Sequence, residues 1–313
     1  MEIRLKLEEI LNSLEESYFF LGNKEGIIIN AAKPITEADK NSICWINPKK
    51  PNKNDLIKNT KSCLIICDNS FAVDENLLKD KAIIRVQNPK LTFLRIVDKF
   101  FNKNDNFFIH EKSCIEKVAK IDDEVFIGAF TYIGKSEIGR STKIYGNCYI
   151  YDNVKIGKNV TIHAGTVIGA DGFGYQRNAE GKMEKFPHIG GVIIEDNVEI
   201  GANTCIDRGT LGNTLIKRGA KIDNLVHIAH NVVIGEDAVV IANSMIGGST
   251  VIGDRAWVAP SVSVMNSIEV GENTTLGLGT VVIKSVPADQ TYVGFPAKPI
   301  KEYVEIQKKL SKL

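Results

Sequence analysis

Residues 216–282 read IKRGAKIDNLVHIAHNVVIGEDAVVIANSMIGGSTVIGDRAWVAPSVSVMNSIEVGENTTLGLGTVV, and an aliphatic side chain returns at every sixth position: Ile216, Ile222, Ile228, Ile234, Val240, Ile246, Ile252, Val258, Val264, Val270, Leu276 and Val282. A helix repeats its buried face every ~3.6 residues and a half-buried strand every second, so a step of six belongs to neither. It predicts short strands joined by turns around a three-sided prism, three hexads to a coil, with coils stacked at the ~4.8 Å spacing of hydrogen-bonded strands. The aliphatic residues then form an interior column. Glycine follows the aliphatic position at Gly128, Gly134, Gly157, Gly201, Gly235, Gly253 and Gly271, where the pattern predicts a turn needing permissive dihedral angles.

Moving toward the N-terminus, the same step holds at Ile121, Ile127 and Ile133, slips by one to Ile138, and resumes through Ile144, Ile150, Ile156, Ile162 and Ile168. The stretch from Ala170 to Ile193 interrupts it. Ile194, Ile200 and Ile206 follow, then a jump of ten to Ile216. Before residue 110 the pattern is α/β: a helix over 3–20, with Ile3, Leu7, Ile10, Leu11 and Leu14 at helical spacing, strands at 26–30, 62–68 and 82–86, and a helix over 91–101. KNDNFFIHEKS (103–113) reads as a linker. At the far end GFPAKP breaks the repeat and IKEYVEIQKKLSKL reads as a helix, with five lysines against two glutamates between Lys298 and Lys312. The expected fold is mainly β, with a small α/β domain over 1–105, a β-helix over 106–290 and a helical extension over 291–313.

With 313 residues, 43% of them hydrophobic, the chain is long enough to bury a substantial core. A formal net charge of +1 offers no global field for nucleic acid, and no apolar run approaches the ~20 residues that span a bilayer. The acidic, amphipathic start lacks a signal peptide's apolar core, so a cytoplasmic protein that is not integral to a membrane is expected. Cys44, Cys63, Cys67, Cys114, Cys148 and Cys205 form no CxxC pair and read as reduced core residues rather than zinc ligands.

Chemically competent residues concentrate in KIDNLVHIAHNVVIG (221–235), which holds Asp223, Asn224, His227, His230 and Asn231 within nine positions without breaking the step. Counting three hexads to a coil, Gly248 lies one turn above His230 and Gly212 about one below, which leaves the ring open space. Acylating an amine needs a base for the nitrogen's proton and a donor for the oxyanion. His230 suits the first and the Gly248 N–H the second, with Asp223 or Asn224 orienting the imidazole. The alternative is that these residues only cap turns. His227 reads as structural or substrate-contacting, His163 and His188 as surface or loop residues, and His110 as part of the linker. The interruption IGADGFGYQRNAEGKMEKFPHIGGV (168–192) reads either as a ligand-binding loop or as a bare hairpin.

The strings IGADGFGY, EIGANTCIDRGTL, KIDNLVHIAHNVVIG and GGSTVIG, with SICWINPKK (42–50) and NPKLTFLRIVDKF (88–100), resemble the UDP-3-O-acylglucosamine N-acyltransferases, members of the hexapeptide-repeat acyltransferase superfamily that act in lipid A biosynthesis. The resemblance covers nearly the whole chain. It implies a left-handed β-helix and a homotrimer that moves a 3-hydroxyacyl chain from acyl carrier protein to the 2-amine of a UDP-sugar. No resident cofactor is implied, because the donor carries the phosphopantetheine. His230 falls on the family's base, Gly248 on its oxyanion glycine and Asp223 on an associated acid; Asn224 and His227 beside them are expected to contact substrate. Asn47 falls on the asparagine of the uridine-binding domain, and the basic C-terminal helix would meet the acidic carrier protein.

The sequence departs from the family in three respects. Cys44 and Lys50 replace the uracil-stacking aromatics, with Trp45 beside the first as a substitute. Ser267 replaces a second histidine, and VGFPAKP looks like the ending of sugar N-acetyltransferases. An acetyl-CoA-dependent nucleotide-sugar N-acetyltransferase is therefore an alternative reading. A γ-type carbonic anhydrase would need His163, His227 and His230 to converge on one metal. A non-catalytic β-helix would use none of them.

Overall fold

A computed structural model describes residues 3–102 and 107–313. The chain forms two compact units, Met1–Asp105 and Asn106–Leu313. Of the stretch read as a linker, residues 103–106 lie outside the described residues.

In the first unit a five-stranded sheet runs in the order Phe19–Leu21, Ala82–Val86, Leu64–Asp68, Ser42–Trp45 and Ala31–Ala32, parallel except for its first pair. Leu64–Asp68 is central and buried along its whole length, which is why LIICD is continuously apolar until its last residue. Alternation along the strands divides the core. Ile43, Leu64, Ile66 and Ile84 pack with Ile96 of the helix Pro89–Phe101, whereas Cys44, Ile46, Ile65 and Ile83 pack with Ile57 of the helix Lys53–Asn59.

The helix expected over 3–20 is only Leu7–Leu11, preceded by a strand Leu5–Lys6 that pairs with Ile28–Ile29. Its apolar residues do reach the core. The helix ends where Ser13 turns back on Ile10, the Ser13 N–H donating to Ile10 O at 3.0 Å and its hydroxyl to the same oxygen at 2.6 Å. The helix expected over 91–101 begins two residues earlier, at Pro89, where Asn88 caps it by accepting from the Leu91 N–H.

The second unit is a parallel β-helix. Its three faces are sheets of ten, nine and eight strands, most of them two residues long and paired in parallel from coil to coil; the ten include two strands that follow the last coil, and the register shifts between Ile168 and Ala170. All twelve aliphatic residues from Ile216 to Val282 are at most 2% exposed and form the column. At ~1.5–3 kcal/mol for each buried aliphatic side chain, this column is the main stabilising element of the coil stack.

The glycines act for a different reason from the one expected. None of Gly128, Gly134, Gly157, Gly201, Gly235, Gly253 and Gly271 has positive φ. A Cβ on Gly201 would sit 2.3 Å from the Asp223 carbonyl carbon, and one on Gly253 2.5 Å from the Glu272 nitrogen, so these glycines let adjacent coils approach. The left-handed corner positions fall mostly on asparagine, aspartate or serine instead, as at Asn231 (φ 61°), Asn243 (φ 66°) and Ser249 (φ 59°), with Phe130, Leu225 and Arg255 among the exceptions. Buried threonines staple the coils further: Thr166 Oγ1 donates to Gly201 O at 2.7 Å and Thr204 Oγ1 to Asp223 O at 2.8 Å.

After the strand Val167–Asp171 the chain leaves the prism until Gly191, its outer part an exposed hairpin, Tyr175–Arg177 paired with Met183–Lys185. After the last coil come a strand Thr291–Val293, a short antiparallel return Lys298–Pro299 and the helix Ile300–Leu310. Among the described residues no helix is long and apolar enough to cross a membrane. The cysteines are free thiols, but Cys114 and Cys205 are exposed rather than in the core. Burial pushes the Cys44 thiol up to about 11 and the Cys67 thiol up to about 12, so neither offers a thiolate at neutral pH.

Candidate active site

His230 sits at the corner that follows the strand His227–Ile228, half-buried with its ring outside the column. Its Nδ1 lies 3.0 Å from Asn231 Oδ1, an oxygen that also accepts from the Thr210 N–H at 3.1 Å and the Thr210 hydroxyl at 2.9 Å. Because that atom only accepts, Nδ1 of the neutral ring carries the hydrogen and Nε2 is a bare lone pair. The next coil brings Gly248 against this edge. A Cβ there would lie 2.8 Å from both Cε1 and Nε2, so only glycine leaves the imidazole its place. The flanking N–H groups are spoken for, Gly247 to Val264 O and Ser249 to His230 O, each at 2.9 Å. Among the described residues the Gly248 N–H has no such partner. A bare imidazole nitrogen thus stands beside an unpaired main-chain donor.

His188 and Asp207, neither of them expected at the site from the sequence, complete the surroundings. His188, expected on the surface or in a loop, is 6% exposed and stands edge to face against His230, ring centroids 5.4 Å apart at 72°. Asp207 is 8% exposed, with a carboxylate oxygen 3.7 Å from His227 Nε2. Burial pushes its carboxyl above the usual range, opposed by the imidazoles of His227, His230 and His188. The coil below meets the site through Gly209 and Thr210 and not through Gly212, around which a Cβ would find open space.

Other expected residues lie elsewhere. Asp223 is on the preceding corner, where Oδ1 accepts from the Asn224 N–H at 2.7 Å and Oδ2 from the Ala242 N–H at 3.2 Å. Asn224 Oδ1 accepts from the Ala202 N–H at 2.6 Å. Within one chain Asn231, rather than Asp223 or Asn224, therefore orients the His230 ring. Asp223 and Asn224 instead line a groove of about 460 Å³ with His163, Glu199 and Lys221. His163 stacks on Tyr145 at 5.2 Å with Nε2 3.5 Å from Glu199, away from His227 and His230. Among the described residues no three His, Cys, Asp or Glu side chains are grouped to hold a metal ion. Met245 and Met265 point outward, at 40% and 44% exposed.

In the first unit Cys44 is fully buried on the Ile57 face and Lys50 is exposed, so no ring stands at either position. Trp45, on the opposite face, lines an apolar cavity of about 540 Å³ with Phe93, Leu94, Val97 and Phe101, and with Lys90 at its edge. Asn47 is exposed outside this cavity, its Oδ1 accepting from the Lys49 N–H at 3.0 Å.

The coil architecture, with an imidazole and a free amide at one corner, defines a protein of the bacterial hexapeptide-transferase class. Residues 135–170 match the family model described as bacterial transferase hexapeptide (six repeats). The UDP-3-O-acylglucosamine N-acyltransferase of Campylobacter lari is 34% identical over 98% of this chain and 97% of its own length. The chain belongs to the UDP-3-O-acylglucosamine N-acyltransferase family. The protein of that name from Wolinella succinogenes is 42% identical over 53% of this chain, a match that spans about half of the relative, 52%. Among solved structures, the UDP-N-acetylglucosamine acyltransferase of Francisella novicida aligns over 64% of this chain and 73% of its own with a TM-score of 0.56 and 26% identity.

Proposed function

We propose that this chain transfers a 3-hydroxyacyl group from a thioester on acyl carrier protein to the 2-amine of a UDP-3-O-acylglucosamine-type sugar. The observation that carries the reading is the bare Nε2 of His230 beside the unpaired Gly248 N–H. The amine nitrogen attacks the thioester carbon, His230 Nε2 takes the proton, and the carbonyl oxygen gathers negative charge that the Gly248 N–H stabilises. Collapse breaks the C–S bond, and the imidazolium returns its proton to the departing sulfur. The acyl chain ends on nitrogen and the donor as a free thiol.

Family membership and the N-acyltransferase activity for which the relatives are named support this reading. The same reading makes the protein a cytoplasmic homotrimer with no cofactor of its own. In a three-fold assembly the groove at Asp223, His163 and Lys221 would face the His230 corner of a neighbouring copy, so Asp223 would act across the interface. His227 and Asn224 would contact substrate there. The small domain would hold the uridine with Trp45 and Asn47, and the basic C-terminal helix would dock the carrier protein. The test is mass spectrometry of the sugar product after incubation with a panel of acyl-loaded carrier proteins, acyl-coenzyme A thioesters and UDP-amino sugars. The expected product is a UDP-sugar heavier by one 3-hydroxyacyl group and formed only from the carrier protein. Acetylation from acetyl-coenzyme A alone would overturn the donor assignment, and no acylated sugar would overturn the activity.

A further inference from the structure

The projecting hairpin returns to the prism through Phe186, Pro187 and His188. Its base is lashed down by the Lys185–Asp171 ion pair and by Arg208, whose Nε donates to Gly169 O at 2.6 Å and whose Nη2 donates to Asp152 O at 3.1 Å. His188 is thereby delivered to a fixed place. Its Nδ1 lies 2.9 Å from Phe186 O, and a carbonyl only accepts, so Nδ1 carries the hydrogen and Nε2 of the neutral ring is an acceptor. That Nε2 is sealed from solvent and has no hydrogen-bond partner. A buried acceptor left unpaired opposes folding, so its retention calls for a compensating role.

Space around this ring is made by glycine. A Cβ on Gly174 would lie 2.9 Å from His188 Cε1. One on Gly172 would lie 3.1 Å from His188 Nε2 and 2.8 Å from both Cβ and Cδ2 of His230, so the two rings and the Gly172 backbone converge on one point. The consequence for His230 is directional: His188 and Gly172 close its Cδ2 edge, Asn231 holds Nδ1, and only the edge carrying Nε2 is left toward Gly248.

We propose that His188 is a positioning residue: its ring is a stop that holds the His230 imidazole in the orientation that presents Nε2 to the amine. This rests on the acyl-transfer reading of His230. It assigns the interrupting segment a task at the reaction centre, performed by its root, while the exposed tip at 177–183 is free of it.

The test compares His188→Asn, His188→Gln and His230→Ala in the full-length protein. Asparagine keeps a donor where Nδ1 was, and so the anchor to Phe186 O, but leaves empty the space beside His230. Glutamine reaches that space. For His188→Asn the expected result is kcat lower by about 10- to 100-fold with KM for both substrates within about twofold, in line with the rate penalty for a displaced catalytic group. Diethyl pyrocarbonate should modify His230 several-fold faster in that variant, a change that loosening of the hairpin alone would not confine to His230. His188→Gln should recover part of kcat, and it carries the test if His188→Asn fails to fold. Parent-like kcat in folded His188→Asn, or a raised KM at unchanged kcat, would overturn the proposal while inactive His230→Ala left the acyl-transfer reading standing. Parent-like turnover by His230→Ala would overturn that reading itself.

Discussion

Asn231 decides which nitrogen of His230 is left bare: one oxygen accepting from both Thr210 and the imidazole fixes the tautomer, and the free lone pair on Nε2 follows from that. Asp207 is the other residue with leverage on the site, and it is held at a cost. Its carboxyl is pushed up by burial, so the folded protein binds that proton more tightly than the unfolded chain does. Such a group favours folding in acid and loses that contribution as the pH rises through its titration range. Asp207→Asn, which cannot ionise, should therefore gain in melting temperature relative to the parent as the pH goes from about 4 to about 7, read by thermal melts across that range. Its turnover at neutral pH should fall, because the carboxylate that opposes the positive charge of the protonated His230 is gone. A stability difference that shrinks with rising pH would contradict the burial argument.

At the scale of the element, the unit is one hexad: a buried aliphatic, a left-handed corner residue and a glycine or threonine that meets the next coil. Ile246 sits in register between Ile228 and Val264 at 0% exposure, whereas Met245 beside it points outward at 40%. Ile246→Ala should cost about 2–5 kcal/mol in denaturant titration, and Met245→Ala under about 1 kcal/mol. Equal losses would mean that the column is not the core. This column was legible because spacing alone defines it. The site was only partly legible. His230 and Gly248 are related by whole coils, so counting brings them together, but Asp207 reaches His227 across the ten-residue jump, where the count resets. His188 returns through a hairpin whose path no period encodes. The N-terminal helix is shorter than its amphipathic spacing because the Ser13 hydroxyl and N–H both take the Ile10 carbonyl and close the last turn.

For the whole molecule, the overall charge is near neutral, and the lysine-rich end around the helix Ile300–Leu310 is a local exception with no buried residue of its own. If it docks an acidic carrier protein, kcat/KM for the carrier thioester should fall steeply between about 50 and 300 mM salt, and Lys308→Glu with Lys309→Glu should flatten that dependence. A salt-independent kcat/KM would remove the helix from the docking surface. The most direct measurement is the rate of sugar acylation by His230→Ala, made beside circular dichroism and sedimentation of the same sample. We predict a rate lower by about 10²- to 10⁴-fold in a protein with the parent's fold and assembly. Turnover within a few-fold of the parent would contradict the claim that this imidazole, presented to Gly248, performs the chemistry.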